Sequence, residues 1–183
     1  MLDKYLIEHC SPTLASLKTA NLFSMNIGAE TDFQAQIDRL NDGLKSKGIV
    51  LMVLKKEGNR ALVYVCRKSY LQEDLNRPGV ASFMKKYGYE STDADKAIET
   101  LAKRLKNIDD FPHEIGLFLG YPLGDVIGFI ANAGKNSKCS GCWKVYCNEC
   151  QAIKKFAQFE KCRRVYKEMW QKGKCVSQLA VAV

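Results

Sequence analysis

Apolar side chains fall along this chain in two rhythms. Phe33, Ile37, Leu40 and Leu44 stand at offsets of 0, 4, 7 and 11 residues, the spacing of one buried helix face. Thr31-Asp32-Phe33-Gln34 fits a capping box at the start of that helix, and Gly48 is available beyond its end. By contrast, IVLMVL (49–54) and ALVYVC (61–66) are continuous and partly β-branched, and they join through Glu57-Gly58-Asn59. They predict a hairpin buried on both faces, in the middle of a sheet. Helical spacing returns at 69–76, 79–87 and 93–107, the last with Ala94, Ala97, Ile98, Leu101 and Leu105 on one stripe. At the N-terminus, residues 1–10 read as a short helix. Ser11-Pro12 then restarts a helix, with Ser11 as N-cap, Pro12 in the first helical position, and Leu14, Leu17 and Leu22 on the buried side.

In the second half, Phe111-Pro112-His113-Glu114 leads into an apolar run that predicts a third strand over 115–119. Gly120-Tyr121-Pro122 turns the chain into a helix from about Leu123 to Asn132, and Ala133-Gly134-Lys135-Asn136-Ser137 forms a polar loop. Residues 143–146, WKVY, are strand-like by composition. Residues 151–171 predict a long final helix carrying Phe156, Phe159, Cys162, Tyr166 and Met169 in one apolar arc. With no repeat, low-complexity tract or linker, the pattern predicts an α+β fold in a single compact domain over 1–183. A small mixed sheet of 49–54, 61–66, 115–119 and 143–146 is packed with N-terminal and C-terminal helices.

Composition narrows the class. At 183 residues and 46% hydrophobic, the chain can bury a conventional core without staples. Asp3, Lys4 and Glu8 interrupt the first residues, so they lack the apolar stretch of a secretory signal, and a cytoplasmic protein is expected. Ile115–Gly134 is long enough to span a bilayer, yet Gly116, Gly120, Gly124, Gly128, Pro122 and Asp125 argue for a buried strand, turn and helix, with no membrane partner. The eight cysteines then read as thiols or metal ligands rather than disulfides.

Charge is uneven: residues 1–134 hold 17 basic and 17 acidic side chains, while 135–175 hold 11 basic and 3 acidic, net +8. Three explanations stand: a face for an anionic partner, positive charge that lowers thiol pKa values, or a solvated helix face. Lys154, Lys161, Arg164 and Lys172 form the outer side of the last helix. Nucleic acid is a weak candidate partner, since no recognised binding motif accompanies the charge.

The same basic region holds CSGCWKVYCNEC, in which Cys139, Cys142, Cys147 and Cys150 form two C-x-x-C pairs. Four thiolates suit zinc or an iron-sulfur cluster. Zinc-ribbon pairs, however, are separated by about 15–20 residues, whereas four lie between these. An extended WKVY would hold Cys142 and Cys147 about 16 Å apart, and thiolates on one zinc lie within about 5 Å of each other. A single metal therefore requires WKVY to bend, and it contains no Gly, Pro, Asn or Asp to help. The reading leans towards a strand flanked by unligated thiols, with metal as the sharpest alternative, using all four cysteines or part of the cluster with Cys162 or Cys175. A thioredoxin-like pair is disfavoured because Cys139–Cys142 does not open a helix.

Other residues carry candidate chemistry. His113 beside Glu114 suits general acid-base work, metal binding or a plain hydrogen bond. The turn Gly120-Tyr121-Pro122-Leu123-Gly124-Asp125 could cradle a phosphate on free backbone N–H groups, although it is neither a Walker loop nor a dinucleotide fingerprint. Asp125 is a helix-start residue or a catalytic carboxylate. Lys144 and Tyr146 share one face of a strand, and a buried Lys144 would need Glu114 or Asp125 as partner.

HEIGLFLGYPLGDVIGFI, GCWKVY and SPTLASLKTANLF together resemble a clostridial family filed as domain of unknown function 3793, over the full chain. Cys142 and Gly141, Trp143, Lys144, Val145 and Tyr146 match its pattern. Cys147 and Cys150 do not carry over, so a four-cysteine site would be peculiar to this member. The resemblance implies no reaction; it suggests a setting in iron or redox metabolism of anaerobes. The leading expectation is a ligand- or cofactor-binding protein or enzyme, with His113, Glu114 and Lys144 as catalytic candidates. Gly120, Tyr121, Gly124, Asp125 and Tyr146 would be ligand contacts, and the partner a small molecule or redox protein. The alternatives are a zinc or iron-sulfur module docking an acidic protein or nucleic acid, and an interaction protein with no small-molecule site.

Overall fold

A computed structural model of the chain describes residues 2–27, 32–107 and 111–182. Contacts group the chain into two units, Met1–Leu71 with Cys162–Val183, and Gln72–Lys161. The α+β class stands, with 55% helix and 16% strand.

In the first unit, β1 (Ala20–Asn26), β2 (Ile49–Glu57) and β3 (Arg60–Arg67) form an antiparallel sheet in the order β1-β3-β2. The predicted hairpin is present, but β3 alone is central; β2 is an edge, and along it Ile49 and Leu51 are buried while Val50 and Met52 are not. The other edge, β1, is a strand the sequence reading did not identify, and Leu22 lies in it opposite Tyr64. ANLFSMN has no clear period of its own; pairing with β3 supplies the ladder that decides its conformation.

Helix α1 (Leu2–Leu14) runs through Ser11 and Pro12 rather than restarting there. Pro12 sits in the last turn, where its missing N–H removes a single helical bond, and the Ser11 hydroxyl donates to the Ile7 carbonyl. Leu17 is left outside the helix and exposed. Helix α2 (Phe33–Leu44) buries Phe33, Ile37, Leu40 and Leu44 as the spacing predicts. Asp32 makes no side-chain cap, and Thr31 of the expected capping box lies outside the described residues. Gly48 closes the following 3₁₀ turn at φ 69°, the left-handed conformation that favours glycine.

These faces meet in one core that includes Leu6, Cys10, Ile37, Leu51, Val63 and Val65, with Cys162 and Tyr166 from the long helix α8 (Glu149–Gln171). A short helix, α9 (Val176–Leu179), also absent from the sequence reading, adds Val176 and Leu179. Burial pushes the Cys10 thiol up, and pushes Cys162 up to about 11. Both behave as small apolar core residues.

Arg67, at the end of β3, is completely buried beneath this core. Its guanidinium donates to four backbone carbonyls: Nε to Thr13 at 2.8 Å, Nη1 to Lys47 at 2.8 Å, and Nη2 to Leu14 at 2.9 Å and Val181 at 2.7 Å. Thr13 and Leu14 end α1, so the cation meets carbonyls that the helix itself leaves unpaired.

The second unit follows α3 (Lys68–Leu75) with α4 (Val80–Lys85), α5 (Ala94–Asn107), α6 (Ile115–Phe118) and α7 (Leu123–Ala131). It also holds a two-stranded ribbon of β4 (Cys139–Ser140) and β5 (Lys144–Val145). The strand expected over 115–119 is therefore a helical turn, and 143–146 does not join the main sheet. A short apolar run reads alike as buried strand or buried helix. Here the Gly116, Leu117 and Leu119 N–H groups bond back to His113, Glu114 and Ile115, satisfying the backbone locally. Among the described residues the expected mixed sheet is replaced by two separate antiparallel ones. Among the described residues no helix is long and apolar enough to cross a membrane.

Candidate functional site

Four glycines, Gly116, Gly120, Gly124 and Gly128, recur every four residues through α6 and α7. Gly120 takes φ 75°, and the Gly120 and Tyr121 N–H groups turn back onto Leu117 and Gly116. Those donors, and the Asp125 and Val126 N–H groups bonded to Pro122, are used within the turn. They are therefore not the free N–H groups that the expected phosphate cradle would need.

The helical glycines serve close approach instead. A Cβ on Gly124 would lie 2.3 Å from Cys147 Sγ, and one on Gly128 would lie 2.4 Å from Tyr146 Cγ. The chain leaving β5 thus lies directly on the bare face of α7. Gly128→Ala is expected to lower stability by about 1–2 kcal/mol, because overpacking against Tyr146 outweighs the gain in helix propensity. Gly43→Ala in α2, whose Cβ would meet only Ser177 Cβ at 4.0 Å, should be neutral or stabilising. Thermal unfolding of the two variants checks the contrast.

Between these glycines, in the first turn of α7, stands Asp125, 3% exposed. Its Oδ1 accepts the N–H groups of Tyr146 and Cys147, each at 2.8 Å, and its Oδ2 accepts Trp143 Nε1 at 2.8 Å. The carboxylate ties the ribbon to α7 with both oxygens, which assigns it a structural role.

The ribbon turns through Gly141, Cys142 and Trp143, with the Gly141 N–H bonded to the Trp143 carbonyl. Gly141 must be glycine, since a Cβ would lie 2.3 Å from the Phe156 ring. Trp143 stacks on Tyr121 at 5.0 Å between ring centroids and 25°, and meets Phe156 edge-on at 4.6 Å and 77°. The Tyr121 hydroxyl donates to the Cys142 carbonyl at 3.2 Å. Such tilted and offset aromatic contacts add to area burial and hold the rings in place.

Against this ribbon the second unit forms a concave pocket of about 270 Å³. Ile115, Gly116, Val126 and Phe129 line one side; Tyr121, Trp143, Ser140, Gly141 and Lys144 line the other, with His113 and Asp125 contributing. The His113 ring meets Phe129 edge-on at 5.0 Å. Lys144 Nζ donates to the Gly134 carbonyl, and a Cβ on that glycine would lie 3.1 Å from the Phe129 ring.

Of the residues singled out from sequence, His113, Tyr121, Asp125 and Lys144 come together here, while Gly120, Gly124, Glu114 and Tyr146 do not line the pocket. Lys144 is not buried, so the condition for pairing with Glu114 or Asp125 does not arise; it stands on the exposed side of β5 and bonds the Gly134 carbonyl in the loop after α7. Glu114, 1% exposed, accepts Arg104 Nε at 2.6 Å and the Tyr89 hydroxyl at 3.1 Å. Burial, reinforced by Glu114, pushes the Tyr89 hydroxyl pKa up. Tyr146 spends its hydroxyl on the Lys135 carbonyl at 2.9 Å. Sequence reasoning missed Trp143, Phe129 and Ser140 as pocket residues; the four-residue glycine period was the signal that this segment packs closely against another.

The four cysteines are not gathered. Cys139 and Cys142 are half-buried beside Trp143 and Phe156, and Cys147 and Cys150 are exposed. Among the described residues no group of three or more His, Cys, Asp and Glu could hold a metal ion. Partial burial, then Glu149 and Asp125, push the Cys139 thiol up; partial burial, then Asp125, do the same to Cys147. That is opposite to the shift an activated cysteine nucleophile needs. WKVY neither stays fully extended nor bends around one centre: Lys144 and Val145 pair back onto Ser140 and Cys139.

The chain matches the model of one protein family, described as Protein of unknown function (DUF3793), over residues 6–180. No curated protein and no solved structure matches the chain.

Proposed function

Since the chain belongs to the DUF3793 family, whose description names no activity, we propose from the site's geometry that this protein binds a small organic molecule in the pocket between α7 and the ribbon. One observation carries the reading: Tyr121, Phe129 and Trp143 stand around a concavity whose walls are held by bonds among the protein's own groups. Trp143 is fixed by Asp125, Tyr121 by the Cys142 carbonyl, and Lys144 by the Gly134 carbonyl. A binding site whose side chains are already held loses little entropy when it is filled. An apolar hollow with a few fixed polar groups is the usual form of a ligand site.

The chemistry offered is binding and orientation. His113 and Lys144 bring an imidazole and an ammonium to the pocket, whereas both acidic candidates, Glu114 and Asp125, are committed to structural bonds. A role in iron-linked or redox metabolism is a narrower form of this reading, and only the family resemblance supports it.

Ser140 is exposed and lines the pocket, so a large side chain there can block the hollow without entering the core. A ligand-observed NMR screen of small aromatic and aliphatic fragments should find binders to the native protein. Ser140→Trp is expected to weaken them by about tenfold or more at an unchanged melting temperature. An empty screen, or binders indifferent to the substitution, would sink the proposal.

A further inference from the structure

We propose that the pocket selects planar aromatic carboxylates, an inference that rests on the small-molecule reading above. Size sets the first limit. At about 270 Å³ the hollow falls just below the ~300–1,000 Å³ of ordinary ligand pockets, which suits one ring system. Its lining sets the second: Tyr121, Phe129 and Trp143 offer aromatic rings, and Ile115 and Val126 offer apolar contact, the surroundings in which a flat ring gains most.

Charge sets the third limit. The ionisable side chains that line the pocket are His113, Lys144, Tyr121 and Asp125. The Asp125 carboxylate is met by three N–H donors from Trp143, Tyr146 and Cys147, so its oxygens are already hydrogen-bonded within the protein. The Lys144 ammonium has three donors, of which one goes to Gly134. That bond anchors the charge beside the Phe129 ring, since the Cβ position of Gly134 lies 3.6 Å from Lys144 Nζ and 3.1 Å from Phe129 Cε2. An anion at the end of a bound ring can therefore meet an ammonium that is already in place.

A carboxylate fits better than a phosphate. A phosphate ester needs several converging donors; the backbone N–H groups of Gly120, Tyr121, Asp125, Tyr146 and Cys147 are bonded within the protein, and Leu123 and Gly124 at the start of α7 do not line the pocket. One ammonium, with the His113 imidazole in the same pocket, matches a single-charge planar acid.

The test is isothermal titration of the full chain with three probes of one shape: 2-naphthoate, the neutral 2-naphthamide and the cationic 2-naphthylmethylamine. Naphthoate should bind about tenfold tighter than naphthamide, the size of one charge-assisted hydrogen bond, and the amine should bind weakest. Lys144→Met should bring naphthoate down to the affinity of the amide while leaving the amide unchanged, and Lys144→Arg should restore most of the difference. The inference is overturned if amide and acid bind alike, if the amine binds best, or if Lys144→Met weakens acid and amide equally. Should all three probes fail while other fragments still bind and are blocked by Ser140→Trp, the ligand class is wrong and the small-molecule reading stands. Should those fragments fail as well, both fall.

Discussion

Replacing Arg67 by methionine is expected to lower the unfolding free energy by about 4 kcal/mol, the largest loss from any single polar substitution in the first unit. Methionine fills most of the same volume, so the loss is electrostatic rather than a cavity. It removes the guanidinium donors from the carbonyls of Lys47 and Val181, and one of the two donors from those of Thr13 and Leu14, which keep the Ser16 and Val181 N–H groups, in a place where Arg67 is fully buried. A dry, unpaired carbonyl costs about 1–3 kcal/mol, and water entry or local relaxation recovers part of the sum. Burial lowers the Arg67 pKa from its ordinary value, but a guanidinium stays charged at neutral pH, so the native bonds to the carbonyls are charge-assisted.

Arg67→Lys should lose less, about 2 kcal/mol, because an ammonium keeps the charge but has three donors at one point instead of a planar fork. Urea unfolding followed by circular dichroism measures both. A second readout locates the effect. The Val181 carbonyl accepts from Arg67 and its N–H donates to the Leu14 carbonyl, so hydrogen exchange at 176–182 should quicken in Arg67→Met. If the midpoint moves by less than about 1 kcal/mol equivalent, the four carbonyls do not depend on Arg67.

In the second unit, Asp125→Asn is expected to cost about 2–3 kcal/mol, even though the change preserves size and shape. An amide has one accepting oxygen and one donating nitrogen. Placed to accept from Tyr146 and Cys147, it turns its NH₂ against Trp143 Nε1–H; flipped, it turns the NH₂ against two backbone N–H groups instead. Asp125→Ala, which leaves all three donors without their acceptor, should cost about 4 kcal/mol. Trp143→Phe removes the indole donor, so Asp125→Asn should be better tolerated in that background. A double-mutant cycle should show coupling of about 1–2 kcal/mol. Zero coupling with an intact fold in Asp125→Asn would withdraw the structural role and return Asp125 to the list of candidate catalytic groups.

These two residues show where local pattern stops being informative. Arg67 ends a β-strand, and nothing along the chain marks it out. Its value comes from carbonyls 20, 53, 54 and 114 residues away, a relation that no window along the chain contains. Asp125 reads as a helix-start carboxylate, which is correct as far as the helix goes. That its oxygens bind a segment 18–22 residues further on depends on the glycine face of α7 letting that segment approach. Four pocket residues were among the sequence candidates because unusual polar residues stood in apolar motifs. Trp143 and Phe129 were not, because an aromatic residue in an apolar run looks the same whether it fills a core or lines a hollow.

What the sequence determined by itself is the set of elements whose faces repeat over several turns or whose runs are long: α2 with its four buried positions, the β2–β3 hairpin, α5, α7 and α8, and with them the α+β class. Periodicity is a property of neighbours in the chain, and burial of one face follows from it. Tertiary structure alone decided the rest. Ala20–Asn26 became a strand because β3 offered an edge to pair with, and Ile115–Phe118 became a helical turn because its backbone could be satisfied locally. Within CSGCWKVYCNEC, residues 139–145 became a ribbon seated on α7 while Glu149 and Cys150 opened α8, because Asp125 and two glycines hold the chain leaving the ribbon there. For the edge strand and the ribbon the local preference was weak, and the deciding energy was a hydrogen bond or a close contact made with residues distant in sequence; for Ile115–Phe118 it was bonds three and four residues back along the chain.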